Sequence, residues 1–202
     1  MTENLYVLTD FSPIGTSDKK TRIILTETKR DYRNYIRSLK YRYNKKNPYL
    51  PNYVITKEGG IYNIMPPDNY SNYMDDEEIN KTSIIISLEN LGWLKKNALS
   101  DTYVNWIGDI YKGKVFEKKW RDYFFWQPYT DIQVQNTSIL CNMLFKEMSI
   151  KPIIVGHNTK INGIEKYEGV VTKSNFDLNF TDVSPSFNFE KFLKKINNEK
   201  NC

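Results

Sequence analysis

Few residues in this chain are suited to metal binding or to acid–base chemistry near neutral pH. His157 is the single histidine among 202 residues, and Cys141 and Cys202 are the only cysteines. His157 follows the apolar run 153–156, and a histidine at the end of a buried strand is more often a hydrogen-bonded structural residue than a ligand. One imidazole limits the metal and acid–base chemistry open to the chain. Two cysteines form no disulfide framework and indicate a reducing compartment.

Charge and hydropathy exclude several classes of protein. The chain has 29 basic and 24 acidic residues, for a net charge of +5, and its mean hydropathy is −0.62. It contains no run approaching the roughly 20 apolar residues that a spanning helix needs. We therefore expect a polar globular protein with no membrane partner. The mild positive charge would suit an anionic polymer such as nucleic acid or cell wall, but a solvated lysine-rich surface explains it equally well.

The elements that must position the reactive residues alternate between strand and helix. We interpret residues 1–21 as an extended arm and residues 22–197 as one domain. The aromatic stretch 94–129 has no clear period, and we expect it to pack over the core. The predicted fold is α/β, a single domain with a central mixed β-sheet flanked by helices. Its predicted elements are a strand at 23–25, a helix at 32–43, a hairpin at 52–64, a strand at 83–88, a capped helix at 131–148, a strand at 153–156 and a helix at 188–196.

Several short motifs occur in an order that resembles the zinc-dependent N-acetylmuramoyl-L-alanine amidases, the group that includes phage amidases and peptidoglycan recognition proteins. The resemblance covers residues 22–193, nearly the whole chain. It is carried by the hairpin Asn52-Tyr53-Val54-Ile55 with its Glu58-Gly59 turn, by residues 83–89, by Pro128-Tyr129-Thr130 before the long helix, by the Gly156-His157 pair, and by Thr181-Asp182-Val183-Ser184-Pro185-Ser186-Phe187. It implies the mixed α/β fold described above.

The resemblance also implies a zinc site, which this sequence preserves only in part. A catalytic zinc takes three protein ligands and leaves one position for water. His157 and Asp182 fall on two of the family's ligand positions, and Thr26, a poor zinc ligand, falls on the first. The family's catalytic Tyr falls on Pro51, and the Lys that in part of the family polarises the developing oxyanion falls on Phe180. Three functional positions have therefore lost their chemistry.

One alternative restores a zinc ligand set. Glu27 is adjacent to Thr26, and a carboxylate binds zinc at about 2.0–2.2 Å. A shift of one residue would give Glu27, His157 and Asp182 as ligands. Strand alternation opposes this shift, because adjacent residues point to opposite faces and an inward Glu27 needs a bulge.

We therefore expect a degenerate amidase-like protein, encoded by a phage, that binds peptidoglycan or a muropeptide or has a structural role alongside phage structural proteins. The alternative is an active zinc amidase that cleaves the bond between N-acetylmuramic acid and L-alanine. The first residues show no basic region before an apolar run, so we expect a location in the host cytoplasm or the virion rather than export by a signal peptide. The sequence contains no recognisable nucleic-acid-binding motif, so we do not expect a nucleic-acid partner. The candidate binding residues at strand ends are Asn52, Glu89, Asn158 and Thr159.

Overall fold

The computed structural model describes residues 5–7, 11, 13–17, 19–44, 49–155 and 159–198. The helices are α1 (Tyr32–Asn44), α2 (Glu77–Thr82), α3 (Asp131–Glu147) and α4 (Phe189–Asn198). The strands are β1 (Leu5–Val7), β2 (Gly15–Thr16), β3 (Arg22–Glu27), β4 (Tyr53–Ile55), β5 (Ile61–Asn63), β6 (Asn69–Tyr70), β7 (Ser83–Leu88), β8 (Trp93–Lys96), β9 (Tyr103–Val104), β10 (Ile110–Tyr111), β11 (Phe116–Trp120), β12 (Tyr123–Trp126) and β13 (Gly169–Thr172).

The central sheet is mixed, as the sequence predicts. Its strand order is β1-β5-β4-β7-β3-β13. The pairs β4·β7, β7·β3 and β3·β13 are parallel, and β4·β5 is antiparallel. Because parallel strands end at the same edge, the residues that follow β3, β4, β7 and β13 lie along one rim of the sheet.

Alternation along β3 and β7 divides the core between the two faces of the sheet. Ile23 and Leu25 join the cluster that includes α3 and α4, whereas Ile24 faces a smaller cluster with Ile79 of α2. Helix α1 covers the same side as α2, through Tyr35 and Leu39. Both strands are buried along their whole length because helices cover the two faces. The result is a three-layer α/β domain.

The local signals for the hairpin and the long helix act as predicted, except that the capping-box pattern of Thr130 with Gln133 three residues later forms only in part. Gly59 in the turn between β4 and β5 has a φ of +90°, which favours glycine. The Thr130 hydroxyl caps α3 by accepting a hydrogen bond from the Gln133 amide. The Gln133 side chain does not return to the cap; it donates to the carbonyls of Ile55 and Glu89 and ties α3 to the rim of the sheet.

Two stretches differ from the sequence expectation. The aromatic stretch forms its own five-stranded antiparallel sheet, with the order β10-β9-β8-β12-β11. The predicted strand at 153–156 is reduced, within the described residues, to one parallel bridge between Ile154 and Val170. That bridge lies at the outer edge of β13, where Ile153 remains 51% exposed. An apolar run at an uncovered edge therefore does not become a buried strand.

Within the N-terminal arm, the described residues 5–7 and 11 contact the domain. Strand β1 pairs in parallel with β5 at the edge of the central sheet, and Phe11 is buried beside Tyr43 of α1. The domain boundary at residue 22 stays a prediction. Among the described residues, no helix is both long enough and apolar enough to cross a lipid bilayer.

Candidate functional site

A cleft of about 890 Å³ opens beside the ends of β3 and β13. Its floor carries Thr26, Glu27 and Lys29 from the end of β3, together with Asp182 from the segment before α4. The location follows from the parallel strands, whose carboxyl ends lie at this rim. The cleft therefore contains two of the residues that the resemblance places at zinc-ligand positions, Thr26 and Asp182.

Thr26 and Asp182 are bonded to each other. The Thr26 hydroxyl donates to Oδ2 of Asp182 at 2.7 Å, and the backbone amide of Glu27 lies 3.3 Å from the same oxygen. Both side chains are buried, with Thr26 1% and Asp182 5% exposed. The two donors therefore stabilise a buried carboxylate that would otherwise lose its hydration.

The Glu27 carboxylate points to the opposite side of β3, as strand alternation requires. Its Oε1 accepts from the Tyr129 hydroxyl at 2.5 Å and from the Ser184 amide at 2.7 Å. The register of β3 with β7 continues without a bulge to the pair Glu27 and Leu88. Burial and the neighbouring Glu27 charge raise the pKa of Tyr129 well above its usual range, which keeps the phenol protonated as a donor.

Lys29 supplies the positive charge between the two carboxylates. Its Nζ donates to Oε2 of Glu27 at 2.5 Å and to the Thr181 hydroxyl at 2.9 Å, and lies 3.9 Å from Oδ1 of Asp182. Burial alone would lower the pKa of Lys29. The charges of Glu27 and then Asp182 outweigh that effect and raise the pKa, so the ammonium persists at neutral pH.

A chain of hydroxyl groups continues from Asp182 along the cleft face of the sheet. The Thr26 hydroxyl lies 3.2 Å from the Tyr73 hydroxyl, which lies 3.1 Å from Oγ of Ser87. The Tyr35 hydroxyl lies 3.2 Å from the same Ser87 oxygen. Burial raises the pKa of Tyr35 well above its usual range. These groups satisfy one another and give the floor of the cleft a polar surface.

Aromatic and basic side chains form the walls of the cleft. Trp106 is 42% exposed; its indole N–H donates to the Lys29 carbonyl at 2.7 Å, and Arg30 lies over its ring. Phe180 lies on the other wall beneath the Lys173 ammonium, which is 4.4 Å from the ring centre. The small sheet containing β9 and β10 thus contributes one wall, and the segment before Asp182 contributes the other.

The arrangement of these side chains does not fit a zinc ion. Both oxygens of Glu27 and Oδ2 of Asp182 already accept hydrogen bonds, and an ammonium lies between the two carboxylates. A divalent ion next to that ammonium would meet strong repulsion. Among the described residues, no three His, Cys, Asp or Glu side chains are grouped closely enough to hold a metal. His157 lies outside the described residues.

Of the remaining predicted site residues, those that the structure describes do not line this cleft. Asn52 is 1% exposed and bonds to the backbone of Pro66, Asn69 and Ile85. Pro51, which precedes it, is also buried. Asn158 lies outside the described residues.

Neither Glu89 nor Thr159 lines the cleft, and each has other hydrogen-bond partners. Glu89 accepts from the amides of Tyr32 and Lys57, and burial raises the pKa of its carboxyl. Thr159 is exposed, and its carbonyl accepts from the Asn175 amide group. The cleft as described therefore combines Thr26, Glu27, Phe180 and Asp182 of the predicted residues.

No sequence pattern indicates the residues that complete the site, chiefly Lys29, Tyr73 and Trp106. Lys29 returns toward Glu27 because its backbone has a φ of 58°, and nothing in its residue type indicates that conformation. Trp106 lies in the stretch without a clear period. Tyr129 belongs to the Pro-Tyr-Thr motif, but the motif does not predict its contact with Glu27.

Comparison with known proteins places this fold among peptidoglycan amidases. The N-acetylmuramoyl-L-alanine amidase family model, Amidase_2, matches residues 17–168. The amidase LysC from Clostridium intestinale URNW is 12% identical with a TM-score of 0.59, and the match covers 97% of this chain and 99% of LysC. The endolysin LysCS from the same organism is 11% identical with a TM-score of 0.60, covering 98% and 97%.

A further solved structure is AmiD from E. coli, in complex with anhydro-N-acetylmuramic acid-L-Ala-D-gamma-Glu-L-Lys. It is 17% identical with a TM-score of 0.54, and the match covers 93% of this chain and 61% of AmiD. A search of curated protein sequences gives no significant match. The fold is that of the amidases. Because the family model covers most of the chain, the chain belongs to the N-acetylmuramoyl-L-alanine amidase family.

Proposed function

We propose that this chain binds fragments of peptidoglycan in the cleft beside Thr26 and Asp182, without zinc-dependent hydrolysis. The observation that carries the proposal is the 2.7 Å hydrogen bond from the Thr26 hydroxyl to Asp182. At two positions where the family resemblance places zinc ligands, this chain has a donor and an acceptor bonded to each other. Threonine is a poor zinc ligand, and the Asp182 oxygen that it contacts is already engaged as a hydrogen-bond acceptor.

Two further positions lack groups that the family resemblance assigns to hydrolysis. The resemblance places a catalytic hydroxyl where this chain has Pro51, and a polarising ammonium where it has Phe180. Pro51 is buried and has no hydroxyl, and Phe180 presents an aromatic ring to the cleft. Ground-state binding uses contacts that are separable from those that stabilise a transition state. The cleft can therefore retain affinity for the ligand after it has lost the chemistry.

The cleft has the size and lining of a ligand site. Its volume of about 890 Å³ lies within the range of roughly 300–1,000 Å³ of small-molecule pockets, which combine aromatic walls with a few polar groups. Trp106 and Phe180 offer aromatic surface for sugar rings, and Lys173 and Arg30 offer cations for peptide carboxylates. AmiD, which shares the fold, is described in complex with a muropeptide. A phage-encoded origin is part of the same proposal; LysCS, which shares the fold, is described as an endolysin.

The proposal is tested with protein purified without added metal. We expect less than one zinc per chain by elemental analysis, binding to purified sacculi in a pull-down, and no clearing in a zymogram. Trp106→Ala should weaken sacculus binding, because it removes exposed aromatic surface from the cleft wall. The matched control is Phe124→Ala, which removes a 51% exposed ring from the same small sheet at a position that does not line the cleft.

Three results would contradict this proposal. Clearing of the zymogram with one zinc per chain, both lost in Glu27→Ala, would establish the active amidase that uses Glu27, His157 and Asp182. Absence of both binding and clearing would remove peptidoglycan as the ligand. Equal binding by Trp106→Ala and Phe124→Ala would place the binding surface outside this cleft.

A further inference from the structure

The Lys29 side chain reaches the site through an unusual backbone conformation. It lies two residues beyond the end of β3, yet its side chain turns back to Glu27, the last residue of that strand. Its φ of 58° belongs to the left-handed region, which is unfavourable for a non-glycine residue. Such backbone persists where the surroundings compensate, and here the Lys29 carbonyl accepts from the Trp106 indole at 2.7 Å. The fold therefore holds this ammonium in a fixed position.

The ammonium is largely buried together with its partner carboxylate. Gly92 packs directly against the pair: a Cβ at this position would lie 2.7 Å from Nζ of Lys29 and 3.0 Å from Oε2 of Glu27. The Glu27 side chain is fully buried, while that of Lys29 remains 27% exposed toward the cleft. A backbone that approaches so closely leaves no room for another side chain. The pair is therefore mostly buried. It differs from an exposed surface ion pair, which would contribute little to stability.

The contacts of Lys29 match those of a bridging cation. Nζ bonds to Glu27 on one side of β3 and to Thr181 on the segment that carries Asp182, whose Oδ1 is 3.9 Å away. One positive charge therefore connects the end of β3 to the segment 181–184. Two buried carboxylates without such a cation would repel each other and lack compensation for lost hydration.

We propose that the Lys29 ammonium takes the place of a metal ion in this site, as a resident cation that Glu27 and Asp182 share. It follows that removing Lys29 should open a site for a divalent cation, with these two carboxylates as ligands. This inference rests on the zinc-free part of the proposed function and is independent of peptidoglycan binding.

The test compares wild-type protein with Lys29→Met, which keeps the length of the side chain and removes the charge. Thermal melts and calorimetric titrations with Zn²⁺ or Co²⁺ alone supply the readouts, so no activity is needed. We expect Lys29→Met to melt lower than wild type without metal. We also expect Zn²⁺ to raise its melting temperature and to bind with a Kd at least about tenfold below that of wild type. Adding Glu27→Gln to Lys29→Met should abolish this binding.

Lys57→Met is the matched control. Lys57 also faces a buried carboxylate, with Nζ 3.8 Å from Oε1 of Glu89, but its side chain is 45% exposed. We expect this variant to gain no affinity for Zn²⁺. Lys29→Arg keeps the positive charge and should bind no more Zn²⁺ than wild type.

Three outcomes would contradict the inference. The first is stoichiometric Zn²⁺ binding by wild type that Lys29→Met does not improve, because the metal and the ammonium would then not compete. The second is equal Zn²⁺ affinity in Lys29→Met and Lys57→Met. The third is a Lys29→Met chain that remains unfolded even with Zn²⁺ while Lys29→Arg folds. If the protein does not bind sacculi but Lys29→Met gains Zn²⁺ binding, peptidoglycan is refuted as the ligand and this inference stands.

Discussion

The Thr26 hydroxyl donates to Asp182 across 156 positions of the chain, at 2.7 Å and with both side chains buried. This contact closes the floor of the cleft where the family resemblance places two metal ligands. On the other side of β3, the ammonium of Lys29 neutralises Glu27. The two interactions together give the site an internal hydrogen bond and an internal cation.

Replacing Thr26 with Val should destabilise the protein by about 1–3 kcal/mol. Valine has nearly the same shape but no hydroxyl, so the buried Asp182 carboxylate loses its shortest hydrogen bond. Urea denaturation measures the change in the free energy of unfolding. Thr16→Val, at an exposed position of β2, is the control and should change stability by no more than about 0.5 kcal/mol. Equal effects of the two substitutions would mean that the Thr26–Asp182 bond contributes nothing measurable.

Replacing Gly92 with Ala should destabilise the chain more than replacing Gly108 with Ala. Both glycines have positive φ, +77° and +90°, so alanine strains the backbone at either position by about 1–3 kcal/mol. At Gly92 the added methyl also meets Lys29 and Glu27, whereas at Gly108 nothing lies within 4 Å. The difference between the two variants in chemical denaturation therefore reports the contact with the ion pair, for which we expect about 1–3 kcal/mol. Equal losses would contradict close packing over Lys29.

Much of the scaffold is predictable from sequence because its signals are local. The buried strand β7 follows from a continuous apolar run, α1 from its helical spacing, and the β4–β5 hairpin from the glycines in its turn. The strand predicted at 153–156 fails for a physical reason: an apolar run does not reveal whether another layer will cover it. Ile153 lies at an open edge, so the described part of its run forms a single bridge.

The site is less predictable, because its contacts join distant residues through conformations that residue type does not encode. Asp182 was located only through the resemblance of its motif, and its bond to Thr26 has no sequence signal. Lys29 depends on a left-handed backbone at a lysine. Trp106 lies in the turn between β9 and β10, strands of only two residues each. Strands of that length are too short to produce a detectable period.

Replacing Thr130 with Ala should cost about 1 kcal/mol of stability, the usual loss for an N-cap. The Thr130 hydroxyl accepts from the Gln133 amide at 3.2 Å and donates to the Lys57 carbonyl at 2.5 Å. Thr130→Ser retains both interactions and serves as the control, with stability close to wild type in thermal and urea melts. A Thr130→Ala variant as stable as Thr130→Ser would show that water replaces the cap at no cost.

Deprotonation of Lys20 should make the protein more stable as pH rises from about 8 toward 10. Burial lowers the pKa of its ammonium from 10.5 to about 8, although nearby Asp68 acts in the opposite direction. Its Nζ donates to the carbonyls of Asn69 and Ser83. Above pH 8 the folded chain loses this proton while the unfolded chain still holds it. The unfolded state then binds more protons, and the free energy of unfolding increases with pH.

The measurement of this effect is a series of urea denaturation curves between pH 7 and 10, compared with Lys20→Met. Wild type should gain stability relative to Lys20→Met across this interval, because methionine has no proton to release. The series ends at pH 10 because burial raises the pKa of Tyr53 to about 12, and such a tyrosine lowers stability with rising pH above its ordinary value of 10. Lys19→Met, at the exposed neighbouring position, is the control and should follow the wild-type curve. Parallel curves for wild type and Lys20→Met would mean that Lys20 keeps an ordinary pKa in the folded protein.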